Sequence, residues 1–144
     1  MGFATVDPPI LVNKTITFTG AAGLGLAGSS IPIFTVTGEV YMVVLIGFCS
    51  VDLTEALATA TIALLCGTVT LIAATNSLGI DANDLWIDAT PTDVDAVAIP
   101  AALKEIVISA NVTISPATQN TNGGTLRISM LWYPLSEDAN VVAA

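Results

Sequence analysis

Apolar and polar residues alternate with a period of two along most of this chain. In residues 10–19, Ile10, Val12, Ile16 and Phe18 share one face, while Asn13, Thr15, Thr17 and Thr19 share the other. Lys14 interrupts the apolar face, which places it near a strand edge. In residues 105–115, Ile106, Ile108, Ala110, Val112 and Ile114 alternate with Val107, Ser109, Asn111, Thr113 and Ser115. In residues 125–133, Leu126, Ile128, Met130 and Trp132 alternate with Thr125, Arg127, Ser129, Leu131 and Tyr133. Such alternation marks half-buried antiparallel strands, because successive side chains of a strand point to opposite faces. Residues 33–48, IFTVTGEVYMVVLIGF, are apolar on both faces after Glu39. Both sides of that strand are expected to be covered, one by the core and the other by a neighbouring chain.

Turn-forming residues separate these runs: Pro8-Pro9, the glycine stretch 20–28, residues 76–79, Pro91, Pro100, Pro116 and Asn122-Gly123-Gly124. Short strands between frequent turns predict an all-β antiparallel sandwich or small barrel of about eight strands, jelly-roll-like in topology. Helical periodicity is weak, with single turns expected near residues 80–85 and 101–104. A chain of 144 residues makes one domain. Its ends, including residues 136–144, are expected to be short arms outside the core, able to lie across neighbouring subunits.

The twenty residues 56–75, ALATATIALLCGTVTLIAAT, carry no charge and are long enough to span a bilayer as a helix. Their Thr, Val and Ile content, central Gly67 and paired threonines two residues apart favour strands instead. No basic residues flank them to set an orientation. Two buried strands joined near Cys66-Gly67-Thr68 are predicted. The opening MGFATVDPPI lacks the basic and apolar regions of a secretory signal, and its Gly2 and Thr5 match an N-myristoylation pattern only superficially.

Composition then narrows the chemistry. Three basic residues, Lys14, Lys104 and Arg127, stand against twelve acidic ones, for a net charge of −9. Nucleic-acid binding requires clustered cations, so it is excluded as a function. The chain has no histidine, which removes the commonest general base and zinc ligand. Cys49 and Cys66 sit in apolar runs and read as buried free thiols, with a disulfide as the alternative.

The motif GLGLAG at 23–28 matches G-x-G-x-x-G, but strand-like SSIPIFTV follows it, where dinucleotide binding needs a helix start. It reads as a flexible loop. Asp81, Asp84, Asp88, Asp93 and Asp95 form the densest polar cluster; they lack EF-hand spacing and read as turn formers, with a calcium site as the alternative. The sequons at Asn13 and Asn111 fall in predicted strands and read as chance matches. No arrangement of nucleophile and base, and no paired-carboxylate pattern, points to an enzyme. No cofactor, metal or catalytic residue is assigned.

With 53% hydrophobic and 10% charged residues, the chain has more apolar side chains than one small core can hide. The expected function is burial of apolar surface against other chains, with Tyr41, Val43, Leu45, Phe48, Trp86, Trp132 and Tyr133 as candidate interface residues. Trp86, Trp132 and Tyr133 read as core or interface anchors rather than sugar-stacking platforms.

Three stretches, FTVTGEVYMVVLIGFC (34–49), GIDANDLWIDATPTD (79–93) and LWYPLSEDANVVAA (131–144), resemble small virion proteins of tailed bacteriophages, of the capsid decoration (cement) type. The resemblance covers most of the chain from residue 34 onward. It implies a β-rich homo-oligomer, commonly a trimer, that stabilises the head by bridging major capsid protein subunits. On this reading the partners are other copies and the major capsid protein, without nucleic acid or membrane, and the location is the capsid surface after assembly in the host cytoplasm. Alternatives are a tail-tube, head-completion or fibre component, or a carbohydrate-binding β-sandwich module.

Overall fold

The computed structural model describes residues 7–55 and 57–144. The N-terminal arm and the myristoylation pattern at Gly2 fall largely on residues 1–6, outside the described residues. Ten strands form: β1 (Ile10–Thr17), β2 (Ile31–Thr37), β3 (Val40–Glu55), β4 (Thr61–Cys66), β5 (Val69–Asn76), β6 (Leu85–Trp86), β7 (Lys104–Ile108), β8 (Val112–Ala117), β9 (Thr121–Pro134) and β10 (Asn140–Ala143). Sheet A has the order β1-β9-β3, with β6 and β7 both pairing to the far side of β3; sheet B has the order β10-β2-β8-β4-β5. All pairs are antiparallel.

The pairings β1:β9, β2:β8, β3:β7 and β4:β5 are the four successive rungs of one long hairpin. Rolling that hairpin adds the pairs β3:β9 and β4:β8 and places alternate rungs in opposite sheets. This is the jelly-roll arrangement predicted from the alternation, with β6 and β10 added to its eight strands. It is a sandwich and not a closed barrel: the two sheets remain separate hydrogen-bonded units. The hairpin's apex is the turn at Gly67 and Thr68, where Gly67 has φ +58°. Residues 57–75 therefore supply β4, the turn and most of β5, as the strand reading of 56–75 expected. No helix among the described residues is long and apolar enough to cross a membrane.

The inward positions follow the alternation. Ile16, Val40, Met42, Leu45, Cys49, Leu126, Ile128, Met130 and Trp132 face inward from sheet A. Ile31, Ile33, Ile62, Leu64, Val112, Ile114 and Val141 meet them from sheet B, and all are buried. Trp86 is fully buried and its indole Nε1 donates to Thr75 Oγ1 at 2.9 Å, crossing the sandwich. A Cβ at Gly47 would lie 2.6 Å from the Trp86 carbonyl oxygen, so glycine lets β6 approach β3. A second buried polar chain runs from Thr121 through Ser77 to the Glu55 carboxylate.

Several elements differ from expectation for local reasons. The single strand expected over 105–115 is two: β7 in sheet A and β8 in sheet B, separated at residues 109–111. Asn111 secures this crossover, its carbonyl accepting from Gly67 N at 3.0 Å and its side-chain Oδ1 from Val36 N at 2.9 Å. Residues 136–144, expected as an arm outside the core, supply β10, which pairs with β2 and buries Val141. The turn expected near 101–104 is present as a 3₁₀ turn at Ala101–Leu103, and within 80–85 Asp84 N donates to Asp81 O at 3.0 Å in a tight turn; a further 3₁₀ turn lies just before it at Ser77–Gly79. The glycine stretch 20–28 is a loop without a helix, as expected, but it is tied down. Its Gly28 N donates to Pro116 O, Ala27 N to Asn120 Oδ1, and Gly25 O accepts from Thr121 N. Lys14 lies on β1, an edge strand of sheet A, and its ammonium reaches the backbone oxygen of Ala144 across the sandwich rim.

Candidate functional site: the outer face of sheet A

The face of sheet A turned away from the core carries a contiguous set of apolar side chains. The register lays out its rows. Tyr133, Tyr41 and Val107 lie side by side, then Leu11, Leu131, Val44 and Lys104, then Asn13, Ser129 and Ile46, then Thr15, Arg127 and Phe48. Leu11 is 59% exposed and Val107 61%, while Tyr41, Val44, Ile46, Phe48, Leu131 and Tyr133 are half-buried. A shallow depression of about 210 Å³ is lined by Leu11, Val44, Ile46, Ser129, Met130 and Leu131. The guanidinium of Arg127 stands 5.2 Å from the centre of the Phe48 ring, within cation–π range. Asn13 Oδ1 accepts from Ser129 Oγ at 2.6 Å.

A β-bulge decides which residues reach this face. Met42 pairs with Trp132 and Val44 with Leu131, so β3 carries one extra residue, Val43. Tyr41, Val43 and Leu45 share a parity in the sequence, but the bulge reverses the phase after Met42. Leu45 thus points into the core and is fully buried, while Val44 and Ile46 emerge beside Tyr41. Trp86 and Trp132 also pack inside the protomer. Of the seven candidate interface residues, Tyr41, Phe48 and Tyr133 belong to the outer face and Val43 is the half-buried bulge residue. Leu45, Trp86 and Trp132 are core. Leu11, Val44, Ile46 and Leu131 were missed; the alternation of 125–133 already put Leu131 on the outward side.

A second concavity, about 440 Å³ and open to solvent, lies between the β4–β5 turn and β7, lined by residues 66–69, Leu71 and residues 106–110. Its one titratable side chain is Cys66, whose thiol donates to Ala110 O at 3.3 Å and is pushed up from its ordinary pKa by burial. Cys49 and Cys66 are free and buried. Burial raises Cys49 to about 11, opposed by backbone hydrogen bonding at Val51 and reinforced by the nearby Asp52, Asp84 and Asp81.

Two aspartates of the acidic stretch 81–95, Asp84 and Asp88, hold their own turns. Asp84 Oδ2 accepts from Asp81 N at 2.8 Å, and Asp88 Oδ1 accepts from Thr90 N and Thr90 Oγ1. Asp52 joins them by accepting from Ala82 N at 2.6 Å. Among the described residues, no three His, Cys, Asp or Glu side chains are grouped to hold a metal ion.

Comparison with protein-family models, with curated proteins and with solved structures finds no match in any of the three.

Proposed function

We propose that this chain is a structural protein that assembles with its own copies through the outer face of sheet A, and that the assembly decorates and stabilises a bacteriophage capsid by bridging major capsid subunits. The observation that carries the assembly reading is the apolar face itself. Leu11, Tyr41, Val44, Ile46, Phe48, Leu131 and Tyr133 lie contiguously on a sheet surface where an antiparallel sandwich ordinarily presents polar side chains. The acidic excess complements it: copies with a net charge of −9 repel at long range, so association is restricted to a contact that buries enough apolar surface. Interfaces of standard size bury roughly 1,600 Å² in total. The capsid as destination rests on the resemblance of residues 34–49, 79–93 and 131–144 to decoration proteins.

Solution mass by light scattering, with and without purified capsids lacking the protein, tests both parts. The expected result is a discrete small oligomer, trimeric if the resemblance holds, that binds those capsids. Ile46→Lys together with Leu131→Lys should convert it to monomer while leaving the circular dichroism spectrum unchanged. A monomeric wild type at all accessible concentrations would overturn the assembly reading, and an oligomer that ignores capsids would overturn the decoration reading.

A further inference from the structure

The longest irregular stretch between strands runs from the end of β6 to the 3₁₀ turn before β7, residues 87–100. Loops of this length without structure of their own are uncommon in compact domains and are usually functional. Its base is fixed: Leu85 and Thr92 exchange backbone hydrogen bonds at 2.7 and 3.2 Å, and Ile99 packs against the core. Between these anchors, residues 93–98 (DVDAVA) are all exposed, with Val94 at 52% and Val97 at 36%. The loop thus presents Val94, flanked by the carboxylates of Asp93 and Asp95, and Val97 between two alanines.

The outer face of sheet A has the opposite character. Among the described residues its four central rows carry two charges, both basic: Lys104 at the β7 end of the Leu11–Val44 row, and Arg127 on the central strand β9. Arg127 sits two residues along β9 from Ser129 and four from Leu131, both of which line the apolar depression. Outward residues on a strand repeat every ~6.7 Å, so Leu131 and Arg127 are separated by about 13 Å. An extended segment of four residues spans up to about 14 Å. Residues 93–97 can therefore reach from the depression to the guanidinium.

We propose that the loop of residues 93–98 of one copy docks across the outer face of sheet A of the next, with Val97 against the depression and Asp93 and Asp95, which share its side of an extended segment, beside Arg127. This rests on the self-assembly reading and specifies its contact. The loop leaves sheet A at the β6–β7 side, whereas the acceptor face is centred on β9, so the contact joins two different patches. Repeated head-to-tail, such a contact generates a ring when the rotation closes.

A charge swap in the full-length chain tests the pairing. Arg127→Glu lowers the net charge from −9 by two, to −11, and Asp93→Lys with Asp95→Lys raises it by four, to −5. If bulk repulsion alone governed assembly, the first change would weaken it and the second would strengthen it. The docking contact requires that both weaken it, each by roughly tenfold in dissociation constant, and that the triple variant recover most of the loss. That recovery also shows that the variants fold. A wild type that oligomerises, with Asp93→Lys/Asp95→Lys neutral or strengthening, or with no recovery in the triple variant, overturns the loop contact and leaves the sheet A reading standing. A wild type that stays monomeric overturns both.

Discussion

At the scale of single residues, the structure depends on a few positions where chemistry and packing coincide. Trp86 fills the space between the sheets, and its one polar atom is matched by Thr75 Oγ1, which itself donates to Ala73 O. Trp86→Ala should cost about 3–5 kcal/mol in chemical denaturation, in the range of large core truncations. Gly47→Ala should cost about 1–3 kcal/mol, because the new methyl group meets backbone rather than a movable side chain. An equal stability for Gly47→Ala and wild type would show that β6 does not press on β3.

Cys49 gives a pH signature at the same scale. Its pKa rises from 9.0 to about 11 on folding, so the folded protein keeps a proton that the unfolded chain releases. The group's contribution is fully present below pH 9 and is lost as pH rises toward 11. Thermal midpoints should therefore decline over that window, and Cys49→Ala should remove part of the decline. A wild type and variant with parallel profiles from pH 8 to 11 would refute the assignment.

At the scale of elements, strands and their inward faces were legible because both sheets cover one core. The alternation from Ile106 to Ile114 runs in phase through the β7–β8 crossover, since a strand that changes sheets still turns the same side chains inward. The same continuity hid the break, which only Ser109, Ala110 and Asn111 mark. The candidate face was partly legible. Trp132 shares the parity of Leu126, Ile128 and Met130, so its burial could be read directly. The bulge at Val43 could not, because its neighbours are all apolar and no polar residue records the change of phase. The missed strand β10 follows a similar logic: four residues are too short for a periodic signal, and pairing with β2 provides what local sequence does not.

At the scale of the whole molecule, the nested hairpin makes the strand pairs unequal in sequence separation. The β4:β5 rung closes across two residues, whereas β1:β9 joins Ile10 to Trp132. Chains dominated by distant pairings fold slowly, in milliseconds to seconds, because loop closure is costly before contacts compensate for it. Gly67 is at the one local closure, with φ +58° and a prospective Cβ only 3.1 Å from the Ala110 Cβ. Gly67→Val should slow refolding severalfold, while Val12→Ala on β1 should mainly accelerate unfolding. Stopped-flow refolding with the reverse pattern would place the folding nucleus elsewhere.

That nesting also sets a schedule for synthesis. A chain emerging from its N-terminus at about 5–20 residues per second releases β1 long before β9 exists. For most of translation the first three strands have apolar faces and no partners, and Val40 to Phe48 is the most exposed of these. Rapid production of many copies would place such unfinished chains near one another, and their shared negative charge keeps them apart until Thr121 to Pro134 arrives. On the proposed assembly, the same acidity that limits how finished copies meet would also protect the unfinished ones from joining too soon.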